Sequence, residues 1–373
     1  MKISRLGKIH KFLLGKYHLK SSRFIHLMKG KVNWLFPTIN FLLKNHNKID
    51  KRLLLIWDLS VSPYAIGELL FFHEMAQILR LKYNVNKIDF CFVCNPKNPT
   101  GDYPGITSEN FYTKLPTLVS TVYINPHIGN FFIFDSNKDL EKFVCDNIEK
   151  YYVWPDFKKY IAKHYPDRDN FDFIQKFYID NGFIPKLDFR KYSLKWAHSF
   201  YKQNIFPKFP VVIQIRNNQL INPHRNAKLD EWLKFFKKAN KKFKEVKFIL
   251  IGSKKEIDKR FKKLPNMVVA KDYETTIEQD LILSATSLMF LGSISGPNAV
   301  VLFSKKPYLF FGQTKMGNET IPYGKNYAFA TENQITNWQP ETEKQIMEQF
   351  SEIYAKIDKD KWKQNIEKYS DKK

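Results

Sequence analysis

The apolar positions of this chain fall into short continuous runs separated by stretches of helical period. Leu53-Leu54-Leu55-Ile56-Trp57 is apolar at every position, the pattern of a strand buried on both faces of a parallel sheet. A polar loop covers 58–64, with Pro63 as a breaker. Ala65-Ile66-Gly67-Glu68 then opens a segment in which Leu69, Phe72, Ala76, Ile78 and Leu79 recur at helical spacing, to about Leu81. The run 88–94 reads as the next strand. Strand, helix and strand in this order predict a β-α-β unit with parallel strands and a right-handed crossover.

The middle of the chain is less regular. Segments 118–124 and 131–134 read as strands, and 139–151 and 171–181 as helices. Residues 183–210 hold several prolines and read as the approach to a second domain, with a boundary near Pro207 to Pro210. Past it the alternation is clean. Strands are expected at 211–215, 246–251, 267–270, 288–291 and 308–311, and helices at 229–243, 256–264, 277–285 and 296–303. The stretch 341–373 reads as one or two closing helices. The expected division is a basic lead-in at 1–50, an α/β domain at 51–207, a doubly wound α/β domain at 208–340, and closing helices at 341–373.

Composition supports packed cores. The chain has 373 residues, 43% of them hydrophobic and 16% aromatic. That exceeds one comfortable core and excludes a disordered chain. The net charge is +24, which suits polyanions. Half of it lies in residues 1–52, where 13 Lys and Arg face a single acid, Asp50. The abundance of Lys, Asn, Ile, Phe and Tyr is also what a coding bias alone produces, so the charge fits either a binding device or none. A nucleic-acid binder needs aromatics interleaved with bases on a platform, or a known module. Neither is visible, and no specific nucleic acid is expected.

The segment 24–43 mixes large apolar residues with Lys29 and Lys31, and Lys44 follows it. It fits a segment lying on an anionic membrane or a helix packed on the domain exterior. No run approaches the ~20 apolar residues of a membrane span, and no secretory pattern is visible. The expected location is cytoplasmic, with peripheral contact at the inner face of the membrane as an accompanying option. Cys91 and Cys94 form a C-x-x-C inside an apolar run, without a second ligand pair. They are expected to be packing residues, and with Cys145 they suit a reducing compartment.

Three clusters carry candidate chemistry. First, the strand Phe290-Leu291 runs into Gly292-Ser293-Ile294-Ser295-Gly296-Pro297 and a helix start. Pro297 suits a first helical turn, and Ser295 or Gly296 its cap. Such a start offers N–H groups and a positive dipole end to an anion, here a diphosphate. Second, Arg216-Asn217 ends the strand 211–215, and Arg225-Asn226 precedes the next helix, with Asn226 as its cap. Two guanidiniums at the carboxyl end of a sheet can grip a pyrophosphate; the plain alternative pairs Arg216 with a carboxylate such as Asp230. Gly252, Ser253 and Asp272 end later strands, where nucleotides are contacted. Glu278 or Asp280 could hold a ribose or sit in solvent. Third, Glu68 opens the first helix, where a carboxylate serves as a general base or merely complements the dipole. Asp58, at the first strand's end, competes for the base role. His73 and His127, the latter in the loop 125–130, are weaker candidates on the acceptor side.

The run Phe290 to Pro297, with Ala299, Lys306-Pro307 and Phe311-Gly312, resembles the donor-binding region of the lipopolysaccharide heptosyltransferase family and its GT-B relatives. Leu53-Leu54-Leu55-Ile56 followed by Ala65-Ile66-Gly67-Glu68-Leu69-Leu70 resembles the same family's first strand and helix start. Glu68 falls on the family's catalytic acid. Arg216-Asn217, Arg225-Asn226 and Trp232 resemble a broader set of bacterial polysaccharide glycosyltransferases. Ile294 stands where the family has an acid, and Ala299 where it has a His.

The resemblance implies two Rossmann-like domains facing a central cleft. The donor, a nucleotide sugar, would bind the second domain. A glycan or lipid-linked acceptor would bind the first. Transfer would be inverting and serve surface polysaccharide or lipopolysaccharide synthesis. No Walker A, G-x-G-x-x-G, H-E-x-x-H, nucleophile elbow or Asp-x-Asp is present. Basic residues are therefore expected in place of a metal, and no cofactor. A non-catalytic relative and a basic nucleic-acid binder are the alternatives.

Overall fold

The computed structural model describes residues 51–60, 62, 64–94, 106–107, 109–122, 124–157, 170–185, 187, 189–220, 223–312, 321 and 324–370. The basic lead-in, with its segment 24–43, lies outside the described residues.

The first sheet has four parallel strands: β1 (Arg52–Asp58), β2 (Ile88–Val93), β3 (Ile128–Phe134) and β4 (Tyr151–Trp154). Their order is β3-β2-β1-β4. Central β1 is apolar from Leu53 to Trp57 because helices cover both faces of the sheet; Leu53, Leu54 and Leu55 are fully buried. Helix α1 (Ile66–Lys82) connects β1 to β2. Helices α2 (Phe111–Val122), α3 (Asn137–Asp146), α4 (Asn170–Asn181) and α5 (Lys191–Asn204) follow.

The second sheet has six parallel strands: β5 (Phe209–Gln214), β6 (Val246–Ile251), β7 (Met267–Val269), β8 (Met289–Ser293), β9 (Tyr308–Phe311) and β10 (Gln334–Thr336). The order is β10-β9-β8-β5-β6-β7. The chain winds outward through β6 and β7, then returns to β8 on the other side of β5. The direction of winding therefore reverses between β5 and β8, and ligands of such sheets bind outside the carboxyl ends at that point. Helices α6 (Leu229–Lys242), α7 (Ile277–Thr286), α8 (Ala299–Leu302), α9 (Glu343–Lys356) and α10 (Lys359–Glu367) complete the domain.

Alternation along β5 splits the core. Val211 and Ile213 pack with Trp232, Phe235 and Phe236 of α6 and Phe350 of α9. Val212 faces the opposite cluster, which continues through α5, α7 and α8 to Leu70 and Ile78 of α1 and Ile174 of α4. One apolar cluster thus spans both domains.

Several elements differ from the sequence expectation. The first five residues of the expected strand 118–124 belong to α2, a helix that buries Phe111, Leu115, Leu118 and Val122 along one face. Helix α5 lies before the expected boundary at 207, yet Ala197, Phe200 and Tyr201 pack on the second sheet. The expected helix 139–151 ends at Asp146, and the edge strand β4 begins at Tyr151. Segment 256–264 holds only a 3-10 turn, Phe261–Lys263, and 296–303 is split into a 3-10 turn, Gly296–Asn298, and α8. Cys91 and Cys94 are buried in β2 and just past it, and burial pushes the Cys94 thiol up to about 12.

Candidate functional site

The carboxyl ends of both sheets are joined by a contact between backbones. Gly67, in the first turn of α1, lies against Gly296, which opens the turn after β8. A Cβ on Gly67 would come within 2.8 Å of the Gly296 Cα, and one on Gly296 within 2.8 Å of the Gly67 nitrogen. Glycine is needed at both positions because neither backbone has room for a side chain. The turn is therefore a joint between the domains as well as a strand-to-helix connection.

The turn itself is anchored to β5. Gly292 pairs in register with Gln214, and a Cβ on Gly292 would sit 1.9 Å from the Gln214 carbonyl oxygen. Ser295 Oγ donates to Gln214 Oε1. The Asn298 side-chain amide donates to the Ser293 carbonyl at 2.7 Å. Ser293 Oγ accepts the Arg216 backbone N–H at 3.2 Å. Ser293 and Ser295 thus shape the turn and tie it to the strand end that carries Arg216. Pro297 is half-buried in the 3-10 turn.

The loop after β5 doubles back. The Ala227 N–H donates to the Arg216 carbonyl at 2.9 Å. Asn226 Oδ1 accepts the Asn218 N–H at 2.8 Å, and its Nδ2 donates to the Asn218 carbonyl at 2.9 Å. Asn226 therefore does not cap α6, as expected from sequence; it clamps its own loop, and the N-cap position is Lys228, with no side-chain bond. This closure returns Arg225 to the vicinity of Arg216. Arg225 Nη2 donates to the Ile294 carbonyl at 3.2 Å. Burial lowers the pKa of Arg225, the like charge of Arg216 lowers it further, and Glu68 and Tyr327 act in the opposite direction. The exposed Glu68 of one domain is thus an electrostatic neighbour of Arg225 of the other, which lies beside Arg216. Asp230, weighed from the sequence as one carboxylate partner for Arg216, bonds to Arg260 at 2.6 Å.

Other expected residues are placed elsewhere. Asp58 is 1% exposed and holds its own loop: it accepts from Ser60 N–H at 2.9 Å, Ser60 Oγ at 2.6 Å and Asn137 Nδ2 at 2.7 Å. His73 lies inside the first domain, stacked on Phe90 at 5.3 Å, and cannot meet an acceptor. His127 precedes β3, so it sits at the amino ends of the strands, opposite the cleft. Asp272 is on the exposed outer edge, paired with Lys262 at 2.5 Å. Glu278 accepts from Ser193 Oγ at 2.7 Å and holds α5 to α7. Asp280 is buried, accepting from Thr275 Oγ1 at 2.6 Å and pairing with Lys271 at 2.9 Å.

Asp280 also accepts the Gly252 N–H at 3.3 Å. Gly252 has φ +115°, and no atom lies within 4 Å of where its Cβ would be. It and exposed Ser253 border a small depression with Ile215, Ile257 and Phe261. One residue of this rim was missed in the sequence. Glu256 accepts the Asn217 N–H at 3.4 Å and Asn218 Nδ2 at 3.1 Å, which ties the β6 loop to the arginine loop. Its only sequence signal is an acid four residues beyond a strand-ending glycine.

No family model matches the sequence, and no curated protein matches it. Solved structures do. The fold is similar to that of the glycosyl transferase family 9 protein from Veillonella parvula, with a TM-score of 0.53 at 9% identity, covering 84% of this chain and 99% of that one. It also matches E. coli ADP-heptose lps heptosyltransferase II, with a TM-score of 0.46 at 12% identity, covering 81% and 98%. The first likeness shows a shared fold. With two all-parallel sheets meeting at their carboxyl ends, the chain has the two-domain GT-B architecture.

Proposed function

We propose that the protein is a glycosyltransferase that moves a sugar from a nucleotide-sugar donor to a glycan or lipid-linked acceptor in surface polysaccharide or lipopolysaccharide synthesis. The observation that carries this reading is the approach of Glu68 to Arg225, which itself lies beside Arg216, across the Gly67–Gly296 seam. The donor's diphosphate lies at the β5–β8 reversal, against Arg216 and Arg225. Their fixed charges match the negative charge that grows on the diphosphate as the bond to the sugar breaks, and they stand in place of a metal ion. Glu68, held on the other domain, takes the proton from the acceptor hydroxyl. Attack from the face opposite the leaving diphosphate inverts the anomeric carbon. The name of the Veillonella parvula structure, glycosyl transferase family 9, supports the same class.

Ile294 and Ala299 replace an acid and a His of the resembling family, so heptose is not carried over as the donor sugar. The test is a thermal-shift screen against UDP-, GDP-, ADP- and CMP-sugars. A ligand at 100 times its Kd stabilises by about 2.7 kcal/mol through linkage, so one member of the panel is expected to raise Tm. A flat response to all four classes would overturn the reading. Donor binding without any transfer would instead leave a non-catalytic relative.

A further inference from the structure

The seam between the two domains is packed like the interior of a single one. Gly67, Leu70, Phe71 and Ile78 recur at helical spacing and share one face of α1. That face is turned to the second domain. Gly67 meets Gly296, and Leu70 and Ile78 belong to the apolar cluster that contains Ile282, Val300 and Phe303. The Phe71 and Phe303 rings meet edge to face, with centroids 4.7 Å apart. Phe303, just past α8, is 1% exposed. Glu74 lies on the same face of α1 and is buried without a partner, so it adds no bond to the seam.

A second line of contacts runs beside the first. Phe329, from the segment that precedes β10, packs on Phe303 at 5.8 Å and on Tyr178 of α4 at 6.2 Å. The neighbouring Ala328 N–H donates to Gln175 Oε1 of α4 at 3.0 Å, and Gln175 is itself buried. Phe71, Phe303, Phe329 and Tyr178 thus form a ladder of rings that crosses from the first domain to the second and back. Within the first domain α1 and α4 pack on each other, which ties the two ends of the ladder together. Helix α2 of the first domain also touches α7 of the second.

We propose that this ladder locks the two domains into one rigid body, so that the cleft is preformed and does not open and close about a hinge. Domains of one chain move relative to each other unless the surface between them is extensive and hydrophobic. Here that surface is the inside of a continuous apolar cluster, and opening it would bring water onto buried rings. The glycine contact leaves no slack either, because backbone meets backbone with no flexible side chain between to absorb a rotation. For the proposed transfer, Glu68 and Arg225 are then held at a fixed separation before any substrate binds. The lock itself does not depend on that reading.

The test is the distance between spin labels on the two domains of the full chain, measured by double electron–electron resonance. Labels are placed at Lys142→Cys of α3 and Lys241→Cys of α6, both exposed, with Cys145→Ser to remove the half-buried thiol; Cys91 and Cys94 are buried. The expected result is one narrow distance that moves by less than about 2 Å when UDP-, GDP-, ADP- or CMP-sugars are added. A broad or two-peaked distribution in the free protein, or a larger shift with any of these probes, would overturn the proposal. Phe303→Ala is expected to broaden the distribution. Phe71→Ser should do the same with a smaller loss of stability, since Phe71 is only half-buried. Distances as narrow as the parent's in both variants would show that the ladder is not the lock and overturn the proposal as well. The measurement on the free protein needs no ligand. A hinge in a protein whose Tm responds to a nucleotide sugar sinks the lock alone, whereas a narrow distance with a flat thermal-shift screen sinks the glycosyltransferase reading alone.

Discussion

Gly67 and Gly296 touch backbone to backbone, although they belong to different domains and lie 229 positions apart in the chain. The contact sets the distance between the start of α1 and the turn after β8. Glu68 is the next residue on one side. Ile294, whose carbonyl holds Arg225, is two residues away on the other. The absence of a side chain at both positions lets the acid of one domain come within electrostatic range of Arg225 of the other.

A methyl group at either glycine should therefore spread the seam. Gly67→Ala and Gly296→Ala are each expected to destabilise by about 1–3 kcal/mol, as overpacking does. Transfer should fall further than stability, because Glu68 and Arg225 separate. The double variant should cost less than the sum, since the first methyl already opens the space that the second would fill. Denaturant unfolding of the four proteins measures this, and strict additivity would show that the two positions do not share one contact.

Glu68 and Asp58 should separate cleanly. Glu68→Gln is expected to lower turnover by roughly 10² to 10⁴ while donor binding is kept, as loss of a general base does. Asp58→Asn acts on the fold instead. It weakens the buried bonds to Ser60 and Asn137 and should cost about 1–3 kcal/mol of stability. If turnover collapses in Asp58→Asn and survives in Glu68→Gln, the base has been assigned to the wrong carboxylate.

Arg225→Lys keeps the charge but loses the planar fork that reaches the Ile294 carbonyl and a phosphate together. Turnover is expected to fall by roughly 10², in the range seen for loss of a single donor to a developing anion. Donor affinity should fall as well. Steady-state kinetics against donor concentration, beside Arg225→Ala, measure both effects. A lysine variant as active as the parent would remove Arg225 from diphosphate binding.

Much of this architecture is legible in the chain because buried parallel strands read as short, almost continuous apolar runs. The runs at Leu53, Ile88, Val211, Val246 and Tyr308 stand out for that reason. Helix α2 does not, because Leu118-Val119-Ser120-Thr121-Val122 carries strand propensity, and only the burial of Phe111, Leu115 and Leu118 decides for a helix. Of the site, Glu68, Arg216 and Arg225 could be found because each lies near a strand end or helix start. His127 misled because a loop residue does not reveal which end of the sheet it borders. Glu256 stayed hidden because a folded loop, and no recurring spacing, brings it to Asn217 and Asn218.

Two adjacent buried residues on α1 should shape the pH dependence of stability. His73 is buried with neither ring nitrogen bonded, and burial lowers its pKa from 6.5 to about 3. Between those values the unfolded chain binds a proton that the folded chain refuses. Stability present above pH 6.5 is therefore lost as pH falls toward 3, by on the order of 5 kcal/mol in total. Glu74 is the opposite case. Both its oxygens are buried without a partner, and burial raises its pKa well above 4.5. The folded chain keeps a proton that the unfolded chain releases, so this contribution is full below pH 4.5 and is lost as pH rises toward the folded value. Glu74→Gln should remove the loss on the alkaline side, and the variant should be more stable than the parent near about pH 8 but not near about pH 4. His73→Phe should flatten the acid side. Urea midpoints across this range measure both slopes, and equal midpoints for Glu74→Gln and the parent at the alkaline end would mean that Glu74 finds a partner or water in solution.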